Sequence, residues 1–321
     1  MTFPAWWLSP RPRSPASEDA AAAPVRPDKV GALLVLLLFA VLTVTTLRPL
    51  WVIWQEDPAL SYGPLLAVGT GVLLWMRRRE LRRWESAAVG GMALLIAASL
   101  LHLAAVWADI SFLKPLSFLG IAWGGIWFLG GSSARRVCAG PLGLLVFAIP
   151  WPTTLVSALA FPLQMISSSY AALFGGMLGL NIQRVGVHLT VLSENGSKSI
   201  YSILVAQECS GTTSLIVLLA VGYLTAYFTP IRWWGRVLLV LVVIPLALLA
   251  NAVRLTIILL VGGLYSAPLA QWVHDHEQPV LVFLCSFGLL GIRQMLLALP
   301  FASLPAPISS LPAPNTEDAP V

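Results

Sequence analysis

Three polar segments interrupt an otherwise apolar chain, and each carries a residue type suited to acyl transfer: QECSGTTS (207–214), NAVR (251–254) and WVHDHEQ (272–278). Cys209 stands just before an apolar run and is followed by the small residues Ser210 and Gly211. A helix beginning there offers free N–H groups and partial positive charge. Both favour thiolate, the nucleophilic form of cysteine, and the same N–H groups can hold an oxyanion. A buried structural cysteine is the alternative. Arg254 lies inside VIPLALLANAVRLTIILLVGGL, where an isolated charge at mid-membrane costs roughly 2.5–3.5 kcal/mol on insertion scales. Such a charge is either functional or snorkels to the interface. Asn251 sits one helical turn earlier and can orient it. His274 and His276 bracket Asp275, and imidazole is the usual general base near neutral pH. A Cys, a His and an Arg together suggest covalent catalysis, with His taking the thiol proton, Cys attacking a carbonyl and Arg stabilising the oxyanion or positioning the substrate. His102, His188, Cys138 and Cys285 read as structural.

The elements that must position these residues are membrane helices. The 321 residues carry only 33 formal charges, 19 basic and 14 acidic, and 58% of the chain is hydrophobic. Too few polar side chains exist to cover a soluble surface, which excludes a soluble domain, a disordered chain and a disulfide scaffold and leaves a polytopic helical membrane protein. Apolar runs predict about eight spans, near 30–47, 63–76, 87–107, 111–130, 137–151, 210–229, 236–262 and 279–300. Residues 1–29 and 302–321 are rich in Pro, Ala and Ser and read as disordered tails flanking a membrane domain over 30–301.

A cytoplasmic N-terminus places 14 of the 19 basic residues inside, among them the RRRELRR cluster at 77–83, in accord with the positive-inside rule. Both termini are then cytoplasmic, and the three polar segments face outward. The stretch 152–208 falls outside. Its first part predicts an interfacial or re-entrant helix, with Pro162 as the candidate break. Its second part alternates β-branched and polar residues around Glu194-Asn195-Gly196-Ser197, which predicts a small extracytoplasmic β-hairpin leading into Cys209.

From about 140 to 290 the chain resembles the exosortase/archaeosortase family of membrane cysteine transpeptidases. The resemblance rests on FAIPWP (147–152), FPLQ (161–164), LGLNIQRVG (178–186), ECSGTTSL (208–215), NAVR (251–254) and a histidine before the last span. It implies an enzyme of the bacterial inner membrane that cleaves secreted proteins, by hydrolysis or by transpeptidation. Its protein substrates end in a short motif (often Pro-Glu-Pro), a hydrophobic span and a basic tail. Cys209 then takes the nucleophile role, Arg254 the oxyanion or substrate role and one histidine the acid/base role, with Asn251, Ser210 and Gly211 in support. The family's Gly-Trp after the histidine is replaced by Pro279 and Val280, which leaves His276 open beside the preferred His274. Nothing in the sequence calls for a metal, an organic cofactor or nucleic acid. A transporter, or a transferase acting on lipid-linked polysaccharide, is the alternative reading.

Overall fold

The structure, a computed structural model, describes residues 29–81, 89–193, 195–196, 198–205, 212–276 and 278–299. Both expected tails fall almost wholly outside the described residues, as do Cys209, Ser210 and Gly211. Helices dominate, as the scarcity of charge requires: backbone groups in lipid must be paired within the segment. They are α1 (Lys29–Glu56), α2 (Gly63–Met76), α3 (Arg78–Leu81), α4 (Val89–Trp107), α5 (Leu113–Leu144), α6 (Thr153–Met177), α7 (Thr212–Phe228), α8 (Trp233–Leu264), α9 (Ala267–His276) and α10 (Gln278–Ala298). Among the described residues, five helices are long and apolar enough to cross a membrane: α4, the stretch Leu113–Ala148, α6, α8 and the Val280–Ala298 part of α10. Gly63–Met76 and Ser214–Phe228 are apolar but shorter. Eight crossings are therefore more than length and composition establish.

Two departures from the sequence expectation have clear causes. Leu113–Leu144 contains Gly131 at φ 70° and ψ −166°, a conformation that glycine alone adopts cheaply. Two helices meet there, between the segments expected at 111–130 and 137–151. The first half packs on α4, where His102 pairs with Ser117 at 2.9 Å. The second half packs on α2 and α7, where Thr70 donates to the Pro141 carbonyl at 3.2 Å and Tyr223 to that of Gly140 at 2.8 Å. Conversely, α6 is not broken at Pro162 but runs on for 25 residues. Its Ala160, Gln164, Ser167, Ser168 and Ala171 form one buried face.

Where a two-stranded hairpin is expected, the chain builds an antiparallel sheet of three strands, β1 (Asn181–Val185), β2 (His188–Leu192) and β3 (Ser199–Leu204), in the order β1-β2-β3. Gly196, at φ 67°, lies in the β2–β3 connection. The inward sheet face, with Leu189 and Val191, joins Ala171 of α6, Leu255 and Leu259 of α8, and Val205 in one core cluster. A second cluster ties α7, α8 and α10 through Leu218, Leu239, Val243 and Leu289.

The bundle has chemically distinct ends. At one, Arg77 donates to both carboxylate oxygens of Glu80, at 2.9 and 2.8 Å, and to the Tyr227 hydroxyl at 3.1 Å. Nearby, Arg293 donates to Thr229 at 3.0 Å, and Arg236 occupies the first turn of α8. The sheet and α9 lie toward the other end. Arg254 is about 27 Å along α8 from Arg236 at 1.5 Å per residue.

Candidate active site

The site is built on the far part of α8. Asn251, Arg254, Leu255, Ile258, Leu259 and Gly262 are buried and recur at helical spacing, so one stripe of α8 faces the protein rather than lipid. Asn251 is 4% exposed and Arg254 5% exposed. Arg254 therefore does not snorkel to the surface. Its Nη2 donates to the main-chain carbonyl of His274 at 3.4 Å, a long contact. That carbonyl belongs to the last turn of α9, where C=O groups lack intrahelical partners and the helix end carries partial negative charge. A buried cation is tolerable where such acceptors replace water. The bond joins two of the predicted site residues across 20 positions of sequence.

The segment WVHDHEQ, which the sequence marked only by its polarity, belongs largely to α9, a ten-residue helix. Its two histidines differ in their surroundings. His274 Nδ1 lies 3.0 Å from Asp275 Oδ1, and Gln271 Nε2 donates to the same oxygen at 3.0 Å. The bond from His274 holds the Asp275 carboxyl below the usual carboxylate range, with Gln271 adding to it. Asp275 is thus an acceptor at neutral pH, the proton of neutral His274 sits on Nδ1, and Nε2 keeps its lone pair. His276 Nδ1 donates to the Trp272 carbonyl at 2.8 Å, and its ring stacks on the indole at 4.7 Å between centroids and 18° between planes. Two residues apart on a helix, the histidines project about 200° from one another. Arg254 grips the backbone of His274.

Gln271 lies outside the chemistry-bearing motifs, and Asp275, noted in the sequence only as lying between the two histidines, accepts from it. The signal was present as an i, i+4 Gln–Asp pair, but it becomes visible only once 267–276 is known to be helical. His188 lies on β2, exposed, 3.3 Å from the Thr190 hydroxyl. Cys138 and Cys285 are free and buried, as expected for small core side chains.

The sheet approaches the same region. Val205, at the end of β3, packs in one cluster with Leu255, the neighbour of Arg254. Tyr201 of β3 lies flat over Gly262, where a Cβ would strike its ring. Four residues after Val205 the chain reaches Cys209.

A family model described as transmembrane exosortase matches residues 54–292. No curated protein and no solved structure matches the chain. The match extends well beyond the 140–290 region that carried the sequence motifs and takes in α2, α4 and the first half of α5. It supports a sorting-enzyme role in general. By a match over most of its length, the chain belongs to the transmembrane exosortase family.

Proposed function

We propose that the protein is an exosortase that cleaves the C-terminal sorting signals of secreted proteins through a thioester on Cys209, at the outer face of the bacterial inner membrane. The observation that carries this reading is the bond from buried Arg254 to the backbone of His274, which unites two residues of the Cys-Arg-His set. In the proposed reaction His274 Nε2 takes the Cys209 thiol proton, and the thiolate adds to the carbonyl carbon of the scissile peptide bond. Arg254, with Asn251 one turn away and the N–H groups of the Ser210-Gly211 segment, serves the oxyanion. Collapse of the tetrahedral species breaks the C–N bond, and His274 returns its proton to the leaving amine. Water or an acceptor amine then attacks the thioester, which gives hydrolysis or transpeptidation. The substrate is a secreted protein ending in a short motif, a hydrophobic span and a basic tail. On this reading the end of the bundle that carries Arg77 and Arg236 is cytoplasmic, in accord with the basic residues in those parts of the sequence.

The test is a secreted reporter ending in a Pro-Glu-Pro motif, an apolar span and a basic tail, co-expressed with the full chain. Cys209→Ala and Cys209→Ser are expected to leave the reporter at its precursor mass on immunoblots. Normal processing by both variants refutes the nucleophile assignment.

A further inference from the structure

Among the described residues β3 is an edge strand of the sheet, and its Tyr201 packs on Gly262 of α8. Val205 N–H donates to the Val187 carbonyl at 3.0 Å, and the β2–β3 register continues with Leu189 opposite Ile203 and Val191 opposite Tyr201. Main-chain groups alternate sides along a regular strand, so those of Tyr201 and Ile203 face β2 and those of Ser202 and Leu204 face outward; the register shifts at Ile200, where the alternation ends. β3 is the last strand in the order, so this row meets no fourth strand. Ile200 and Leu204, 53% and 59% exposed, flank the row with apolar side chains. A row of unpaired N–H and C=O groups is a template for another extended chain. This row also leads somewhere: Val205 is anchored beside Leu255, next to Arg254, and Cys209 follows within a few residues.

We infer that β3 is the substrate-docking rail. An extended segment of the secreted protein adds as a fourth strand along Ser202 and Leu204, and its scissile carbonyl is thereby presented at Cys209. The inference rests on the proposed cysteine chemistry and adds how the peptide is gripped. Main-chain bonds to a sheet edge give affinity independent of side chains, while alternate side chains select the sequence. Cys209 follows Val205 by four residues in the sequence, so on the proposed cysteine chemistry the rail and the nucleophile belong to one stretch of chain.

The test exploits the outward direction of the Ser202 N–H. Proline is tolerated on an edge strand where its missing N–H faces outward, so Ser202→Pro removes one rail donor without removing a β2–β3 bond. Ser202→Ala keeps the donor and removes the hydroxyl. Full-length variants in lipid nanodiscs are assayed on the same reporter, and Cys209 is alkylated with iodoacetamide as a substrate-free measure of an intact site. The expected result for Ser202→Pro is a fall of about 10-fold in kcat/KM, carried by KM, the size of one or two lost hydrogen bonds. Alkylation stays at the wild-type rate, and Ser202→Ala stays within twofold. A proline scan through the reporter residues before the cleavage point is expected to show loss at every second position. Wild-type KM for Ser202→Pro, or a scan without period two, overturns the rail while leaving the thiol chemistry standing. A shift from dimer to monomer in Ser202→Pro, read by light scattering, assigns the edge to a second copy of the chain and overturns it too. If Cys209→Ala still processes the reporter, the cysteine reading fails first, and the KM readout then separates the two.

Discussion

Two arginines anchor opposite ends of the bundle, and they are held in different ways. Arg77 is matched side chain to side chain: Glu80 takes two of its N–H groups and Tyr227 a third. The result is a bolt between the end of α2, the short helix α3 and α7. Arg254 lies deeper, and its bond to α9 goes to a main-chain carbonyl at the end of the helix that carries His274. The first arrangement holds elements together. The second joins α8 to the helix that carries His274, and the proposed reaction assigns its guanidinium to the oxyanion.

Breaking each arginine separately should expose this difference most strongly. Arg254→Ala is expected to lower reporter processing by about 10²–10³-fold, the usual loss when an oxyanion donor is removed. Arg254→Lys should recover little, because an ammonium lacks the planar fork that can serve an acceptor and an oxyanion together. Arg77→Ala should do the reverse: thermal stability in nanodiscs falls by about 1–2 kcal/mol, since the pair is partly exposed, while activity per folded molecule stays within twofold. Equal losses of activity in both variants, with equal losses of stability, would erase the distinction.

The next comparison is inside α9. His274→Ala is expected to cost about 10²-fold or more in kcat, the scale of general acid–base catalysis. His276→Ala is expected to cost at most about threefold, because that ring is engaged with Trp272 and projects away from His274. Measuring kcat for the two variants on one reporter decides the assignment, and a larger loss at His276 reverses it.

How much of this was legible in the sequence follows from what each feature costs. Arg254 was legible because a charge in an apolar run is expensive and needs a reason. The helices were legible because lipid demands internal pairing, and the separate spans expected at 111–130 and 137–151 fall on either side of Gly131. The continuity of α6 was not. Pro162 reads as a breaker, but the surrounding apolar residues and the buried face through Gln164, Ser167 and Ala171 carry the helix across it. β1 was missed because NIQRV is short and mostly exposed, so its alternation does not sort polar from apolar residues. What the sequence could not show is the bond from Arg254 to the His274 backbone. Main-chain carbonyls carry no residue identity, and tertiary packing alone decides which helix end meets which side chain.

The smallest expected effect concerns Asp275, whose exposed carboxylate pairs with His274 and also accepts from Gln271. The bond from His274 Nδ1 holds this carboxyl below its ordinary range. A depressed folded-state value means the pairing is fully present above the unfolded value, about 3.9 for aspartate. It is lost only as pH falls through the lower folded value. The proton of neutral His274 should therefore stay on Nδ1 at every pH where the enzyme works. In Asp275→Asn the amide can turn its N–H toward Nδ1 and drive the proton to Nε2, the wrong nitrogen for a base. A fall of about 10-fold in kcat with KM unchanged is expected, well short of the loss at a buried triad aspartate, and Asp275→Glu should restore most of it. Nitrogen-15 spectra of histidine-labelled protein report the tautomer directly. An unchanged Nδ1–H signal in Asp275→Asn would show that the Arg254 clamp on the His274 backbone positions the imidazole without help from its neighbour.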